Sequence, residues 1–328
     1  MSIERQLSEA FKRSNSASQL PPALDERIMA DYRRLVMEKR GYSHMRKKWR
    51  LPRLAFVALI AAMLCGFAYA GNYLLFSDKE GSYSIRMQTN DALTIEPDVL
   101  EAVRASLKEV QSKLSPGQTA IVYLPDVFPD ALPVSISSLK LIPDAEQWNA
   151  VLNQHGVQEV LPDSLLGGSF HFEAGALNSP FRPSMGADVT GLIDEMEAEY
   201  RQRDGSSGLL WRSIDIAAEQ PVSQYTTMYT NDQGETLYLT MEVIDNVSIT
   251  FDGLTPPSTA YEAIDLNEKQ AHYTRNVQSL LGESPVFQDL MWIEEKDSQT
   301  IVHHVESDSG SMTKERMIEA AADWLSKQ

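Results

Sequence analysis

Residues 54–76 read LAFVALIAAMLCGFAYAGNYLLF, and no charged side chain falls among them. Asn72 is the one clearly polar residue of the run. At a rise of about 1.5 Å per residue, a helix of this length spans the roughly 30 Å of a bilayer's hydrocarbon core. A buried core helix usually carries a polar stripe, and this run has none. The run therefore predicts one transmembrane helix over 54–76, with a separate piece of chain on either side.

The two pieces differ in charge. Residues before Leu54 contain 13 Lys/Arg and 6 Asp/Glu, a balance of +7, whereas the chain as a whole carries −17. The part after the run is left with −24. Arg46, Lys47, Lys48, Arg50 and Arg53 crowd the N-terminal flank, while Asp78, Lys79 and Glu80 lie beyond the other end. The positive-inside rule then places the N-terminus in the cytoplasm and the C-terminal bulk outside. Trp49, Tyr69 and Tyr73 sit where interfacial aromatics belong. The expected localisation is the cell membrane, crossed once.

Ala68-Tyr69-Ala70 before Gly71 has the small-residue pattern of a signal-peptide cleavage site. More than fifty residues precede the apolar run, far too many for an ordinary leader, so a stable anchor is the expectation. Cys65 is the only cysteine. Leu64 before it does not suit a lipoprotein signal, and Cys65 reads as a small apolar residue in lipid. The outer part cannot form an internal disulfide and must be held by its core; about 250 residues suffice for that.

In the tail, residues 1–53, Ile3, Leu7 and Phe11 recur every four residues and predict a short helix. Pro21-Pro22 separates it from a second, about 24–40, whose apolar stripe is Leu24, Ile28, Tyr32, Leu35 and Val36. Arg27, Arg33, Arg34, Lys39 and Arg40 make its remainder cationic. Two such helices bury their stripes poorly alone. One reading has the stripes held by another protein, as in helix-in-groove recognition. A second lays the basic helix on the anionic inner leaflet. A third leaves the tail to set orientation only. Nucleic acid is not an expected partner, because topology already accounts for the basic residues.

Beyond the run, residues 77–133 read as a membrane-proximal segment. Strand-like alternation over 77–94 is followed by a helix over 96–114, with Pro97 in its first turn and Val99, Val103, Leu107, Val110 and Leu114 as its buried face. A strand over 119–124 and a proline-rich connection complete the segment. Residues 134–328 read as the main extracytoplasmic domain. Asp144 opens a helix as an acidic cap; Phe170 and Phe172 share one strand face; 189–200 predict another helix. Hairpins are predicted around 231–234 and 295–298, and Asp252-Gly253 is expected to turn. Thr313 caps a final helix with Met317, Ala321, Trp324 and Leu325 inward. Antiparallel strands with a few helices packed on one face define an α+β fold.

Signs of chemistry are sparse. His303-His304 with Glu306 is the nearest approach to a metal set, but adjacent strand residues point to opposite faces, so at most one histidine joins Glu306. A solvent-facing pair is the expectation, without metal or cofactor. His171 should lie on a sheet's outer face. No H-E-x-x-H, P-loop or GxGxxG occurs, and no G-x-S-x-G elbow marks a nucleophile. Asp308-Ser-Gly-Ser311 lacks calcium-loop spacing. Catalysis is not expected.

Several segments resemble a bacterial domain of unknown function found on the outer side of single-pass membrane proteins of spore-forming Gram-positive bacteria. They are Ile249-Thr-Phe-Asp-Gly253, Ala260-Tyr-Glu-Ala263, Leu290-Met-Trp-Ile-Glu-Glu295, Ile301-Val302 and the helix from Met312 to Ala320. Leu161-Pro162 with Gly168, Phe170 and Phe172 resembles an entry motif of the same proteins. In the tail, Leu24-Asp-Glu-Arg-Ile-Met29 resembles membrane-bound anti-sigma factors, without the paired cysteines and histidine of their zinc-containing branch. The resemblance implies a regulator whose tail restrains a cytoplasmic sigma factor, while the outer domain meets a signal or ligand of unknown identity. The other reading from the residues is an anchored outer-face binding module with a tail that serves topology alone. An outer-face enzyme would need a polar cleft.

Overall fold

The computed structural model describes residues 58–61, 73–128, 133–182, 189–203, 209–214, 222–245, 248–296 and 299–327. The tail, with Leu24, Ile28, Tyr32, Leu35, Val36, Arg46, Lys47, Lys48, Arg50 and Arg53, lies outside them. The described strands are β1 (Ala58–Ala61), β2 (Leu74–Glu80), β3 (Tyr83–Thr89), β4 (Thr119–Tyr123), β5 (Pro133–Ser137), β6 (Ser164–Leu165), β7 (Phe170–Ala176), β8 (Leu210–Ile214), β9 (Val222–Thr230), β10 (Thr236–Asp245), β11 (Ile249–Thr255), β12 (Ala260–Leu266), β13 (Lys269–Asn276), β14 (Phe287–Lys296) and β15 (Gln299–Ser307). The helices are α1 (Pro97–Ser112), α2 (Ala145–Gln154), α3 (Val189–Gln202) and α4 (Lys314–Leu325). The α+β expectation holds.

The apolar run behaves differently from the helix that its composition predicts. Its described residues are extended. Ala58–Ala61 pair in parallel with β11, and Leu74–Phe76 open β2, which pairs with β3. The cause at the C-terminal end is an aromatic contact. Phe76 is buried and stacks on the His272 ring at 4.2 Å and on Tyr261 at 5.1 Å. The pairing of β2 with β3 is irregular between Leu74 and Phe76, which lets Leu74 stand 60% exposed while Phe76 and the exposed Ser77 after it alternate as in a strand. Any helix in the run therefore ends before Leu74. No helix among the described residues is long and apolar enough to cross a membrane.

The main sheet has eight strands in the order β12-β13-β14-β15-β10-β9-β7-β6, all pairs antiparallel. Period-two alternation sends Leu237, Leu239, Met241, Leu290, Trp292 and Val305 to one face. There α4 adds Met317, Ala321 and Trp324, and α2 adds Trp148 and Leu152, to a single apolar cluster. Asp144 accepts the Gln147 amide at the start of α2, and Thr313 caps α4, both as their positions predict.

A second sheet, β1-β11-β3-β2, packs Phe76, Tyr83, Ile85 and Ile249 against Ile244, Met291 and Val302 of the main sheet. Its β11–β3 and β1–β11 pairs are parallel, so the antiparallel expectation fails there. Asp252-Gly253 does not turn but continues β11, where Gly253 admits the Met87 sulfur against its backbone. The third sheet, β5-β4-β8, lies between α1 and α3. Because β3 pairs with β11 and β4 with β8, residues 77–133 and 134–328 share two sheets. In α1 the buried stripe runs through Leu100, Val103, Leu107 and Val110, while Val99 is exposed. Arg104 turns inward on that face, and its guanidinium donates to the carbonyls of Ser279, Leu281 and Gly282.

Candidate functional site

The second face of the main sheet is not wholly apolar. Strand register brings its polar side chains together. Thr226, Thr240, His304 and Met291 stand opposite one another across β9, β10, β15 and β14. Asp289 is opposite Glu306 in the row on one side, and Glu242 is opposite Val302 in the row on the other. His304 is thus the diagonal neighbour of both Asp289 and Glu242, close enough for long side chains to meet.

Arg182 reaches this group from the segment after β7. Ser179 positions it: the backbone amides of Phe181 and Arg182 both donate to the Ser179 hydroxyl. The guanidinium then bridges three acids, with Nη2 2.6 Å from Glu306, Nη1 3.0 Å from Asp289 and Nε 3.6 Å from Glu242. Thr240 donates to the second oxygen of Glu306 at 2.7 Å, and Gln224 donates to Glu242 at 3.0 Å. The side chain of Glu306 is fully buried, whereas that of Arg182 keeps 26% of its surface exposed. Arg182 is the one member of the set that meets solvent to that degree.

Burial and charge set the protonation of the group. Burial favours the neutral form of Glu306, and Asp289 beside it adds repulsion; together they outweigh Arg182 and push this carboxyl above the usual range. Burial acts on Asp289 in the same sense, but Arg182 and His304 prevail and hold it below that range. Burial disfavours the Arg182 cation as well; Glu306, Asp289 and Glu242 reverse this and keep it charged.

The histidine pair differs from its sequence expectation. Both rings are buried, His303 at 2% and His304 at 3% exposure, because β15 is an interior strand covered on both sides. They do point to opposite faces. His304 joins Glu306 in the cluster, and His303 lies in the apolar core, stacked on Trp292 at 4.9 Å with Trp324 against its edge. Burial pushes the His303 imidazole down to about 3, so it is neutral near neutral pH. His171 is exposed, as its position predicts. Among the described residues no three His, Cys, Asp or Glu side chains are arranged to hold a metal ion.

Arg182, Glu242 and Asp289 carry no motif, so sequence spacing alone does not assemble them. One signal is present. Glu242, Asp289 and Glu306 each occupy a buried position within a strand, and buried acids require partners. Comparison of the chain with family models, curated proteins and solved structures finds no match. The fold and site define an α+β domain with a buried acid–base cluster.

Proposed function

We propose that the chain is a single-pass membrane regulator of anti-sigma-factor type, with its tail in the cytoplasm and its sheet domain outside. One observation carries this reading: an uncharged run of 23 residues separates a +7 segment from a −24 segment. We take the span as the part of the run before β2, residues 54–73, which requires the short edge strand Ala58–Ala61 to be helical in the bilayer rather than paired with β11. Twenty residues at about 1.5 Å each match a bilayer's hydrocarbon core of roughly 30 Å. Tyr73 and Leu74, exposed at 72% and 60%, then sit where the chain leaves the lipid interface. In this arrangement Ala58–Ala61 leave the edge of β11, which keeps its seven-residue pairing with β3.

The tail stripe of Leu24, Ile28, Tyr32, Leu35 and Val36 is the surface offered to a sigma factor, by helix-in-groove contact. A photo-crosslinking residue placed at Ile28 or Leu35 in the full-length chain tests this in cells. The expected product is a covalent adduct with a transcription factor. Adducts with lipid alone, together with an unchanged phenotype when residues 1–45 are exchanged for an unrelated basic tail, favour the second reading. In that reading the chain is an anchored outer-face binding module.

A further inference from the structure

His304 presents a carboxylate to each of its ring nitrogens. Nδ1 is 3.1 Å from Asp289 Oδ1, and Nε2 is 4.0 Å from Glu242 Oε2. Neutral imidazole has one N–H and one lone pair. Whichever nitrogen carries the hydrogen, the other turns its lone pair toward a carboxylate oxygen. Imidazolium alone offers a donor to both. Nε2 is fully buried and has no hydrogen-bond partner. Arg182 Nε, also buried and without a hydrogen-bond partner, faces the other oxygen of Glu242 at 3.6 Å. Glu242 is thus flanked by two nitrogens, both just beyond bonding distance.

We propose that His304 is a proton-operated fastener: a proton taken up by its ring draws Glu242 onto Nε2 and tightens β10, β15 and β14 together. The proton comes from solvent and is held at Nε2, and no covalent bond other than N–H is made or broken. The contribution of His304 to holding the outer domain together is then larger in mildly acidic surroundings than in neutral ones. Such a device goes beyond the anchoring reading and stands whether or not the chain spans a membrane.

The charges facing His304 fix the sign. Asp289 faces it from β14, Glu242 from β10, Glu306 from two residues along β15, and Arg182 from the segment after β7. Tyr83 of β3 is close to Glu242, Arg182 and Asp289; burial pushes its phenol far up, so it stays neutral. With neutral His304, three carboxylates face one cation; with the proton on, they face two. Glu306 works in the same direction. Its carboxyl is raised, so its contribution is complete below the unfolded value and lost as pH rises through the folded one. Asp289 is depressed, and its contribution fades only below the ordinary carboxylate range, outside the histidine window. His303 opposes the switch. Its folded value of about 3 means that stability is lost as pH falls below the unfolded histidine value of about 6.5. The readout is therefore a comparison between variants rather than the trend of one protein.

The experiment measures the thermal midpoint of the full-length protein in detergent micelles at about pH 5.5 and about pH 7.5, for wild type, His304→Gln and Glu242→Gln. The change in midpoint on acidification should be about 3 °C less favourable in His304→Gln than in wild type. Glu242→Gln should shrink it in the same direction, because its amide can donate to a neutral Nε2. The same acidification change in wild type and both variants overturns the proposal. If His304→Gln does not fold, the near-isosteric Glu242→Gln decides alone.

Discussion

Replacing Arg182 by methionine should destabilise the domain by about 3–5 kcal/mol, the largest expected effect of any single change in the polar cluster. The methionine fills much of the same volume but leaves Glu242, Asp289 and Glu306 packed together without their common cation. Removing one partner of a buried ionic group costs more than the group contributed, because the remaining charges stay desolvated. At about 2–4 °C per kcal/mol for a domain of this size, the midpoint should fall by roughly 10 °C. The variant should also recover as the pH is lowered. Without the guanidinium the three carboxyls titrate above their unfolded values, so acid restores stability that neutral pH removes. A calorimetric scan of wild type and R182M at two pH values checks both statements. An unchanged midpoint in R182M means that Arg182 does not hold the three acids.

Replacing Gly175 by alanine should cost about 3 kcal/mol, and the cost should vanish when Trp148 is absent. A Cβ on Gly175 would lie inside van der Waals contact with the Trp148 indole. The backbone cannot yield. Gly175 donates to the Ile142 carbonyl at 2.9 Å and accepts from the Ile142 amide at 2.8 Å. Trp148 is fully buried, and its indole N–H donates to Thr227 at 2.9 Å. Trp148→Ala alone should cost about 3–5 kcal/mol through the cavity it leaves. Once that cavity exists, a methyl group at position 175 has room. The double-mutant cycle over denaturant unfolding should therefore give a coupling of about 3 kcal/mol. Additive effects would mean that Gly175 is required for some reason other than the indole.

The two sites show what sequence can and cannot deliver. The cap of Asp144, the helix carrying Trp148 and the strand carrying Phe170 follow from local pattern, because capping and alternation act over a few residues. That Gly175 must be bare is invisible locally, since the constraint is an indole 27 positions away. The acid cluster is similar. Glu242, Asp289 and Glu306 lie at inward positions of three strands, yet Arg182 joins them only through the Ser179 turn. The hairpin joining β12 and β13 lacked the usual Asn-Gly signal; its two-residue loop has Asn267 and Glu268 at φ of 53° and 70°, a conformation in which glutamate is uncommon. Asp252-Gly253 misled in the opposite sense, as a turn dipeptide retained inside a strand for the space that Met87 needs. The end of the apolar run was blurred because Leu74, Leu75 and Phe76 suit lipid and sheet equally, and only the His272 ring under Phe76 separates the two.

The proposed topology puts a cationic tail and an acidic sheet domain on opposite sides of one bilayer. A peptide tag fused after Gln328 and a membrane-impermeant reagent test it in intact cells. The reagent should reach this tag without lysis, while a tag placed before Met1 should be reached only after lysis. A C-terminal tag that stays protected until the cells are broken would contradict it.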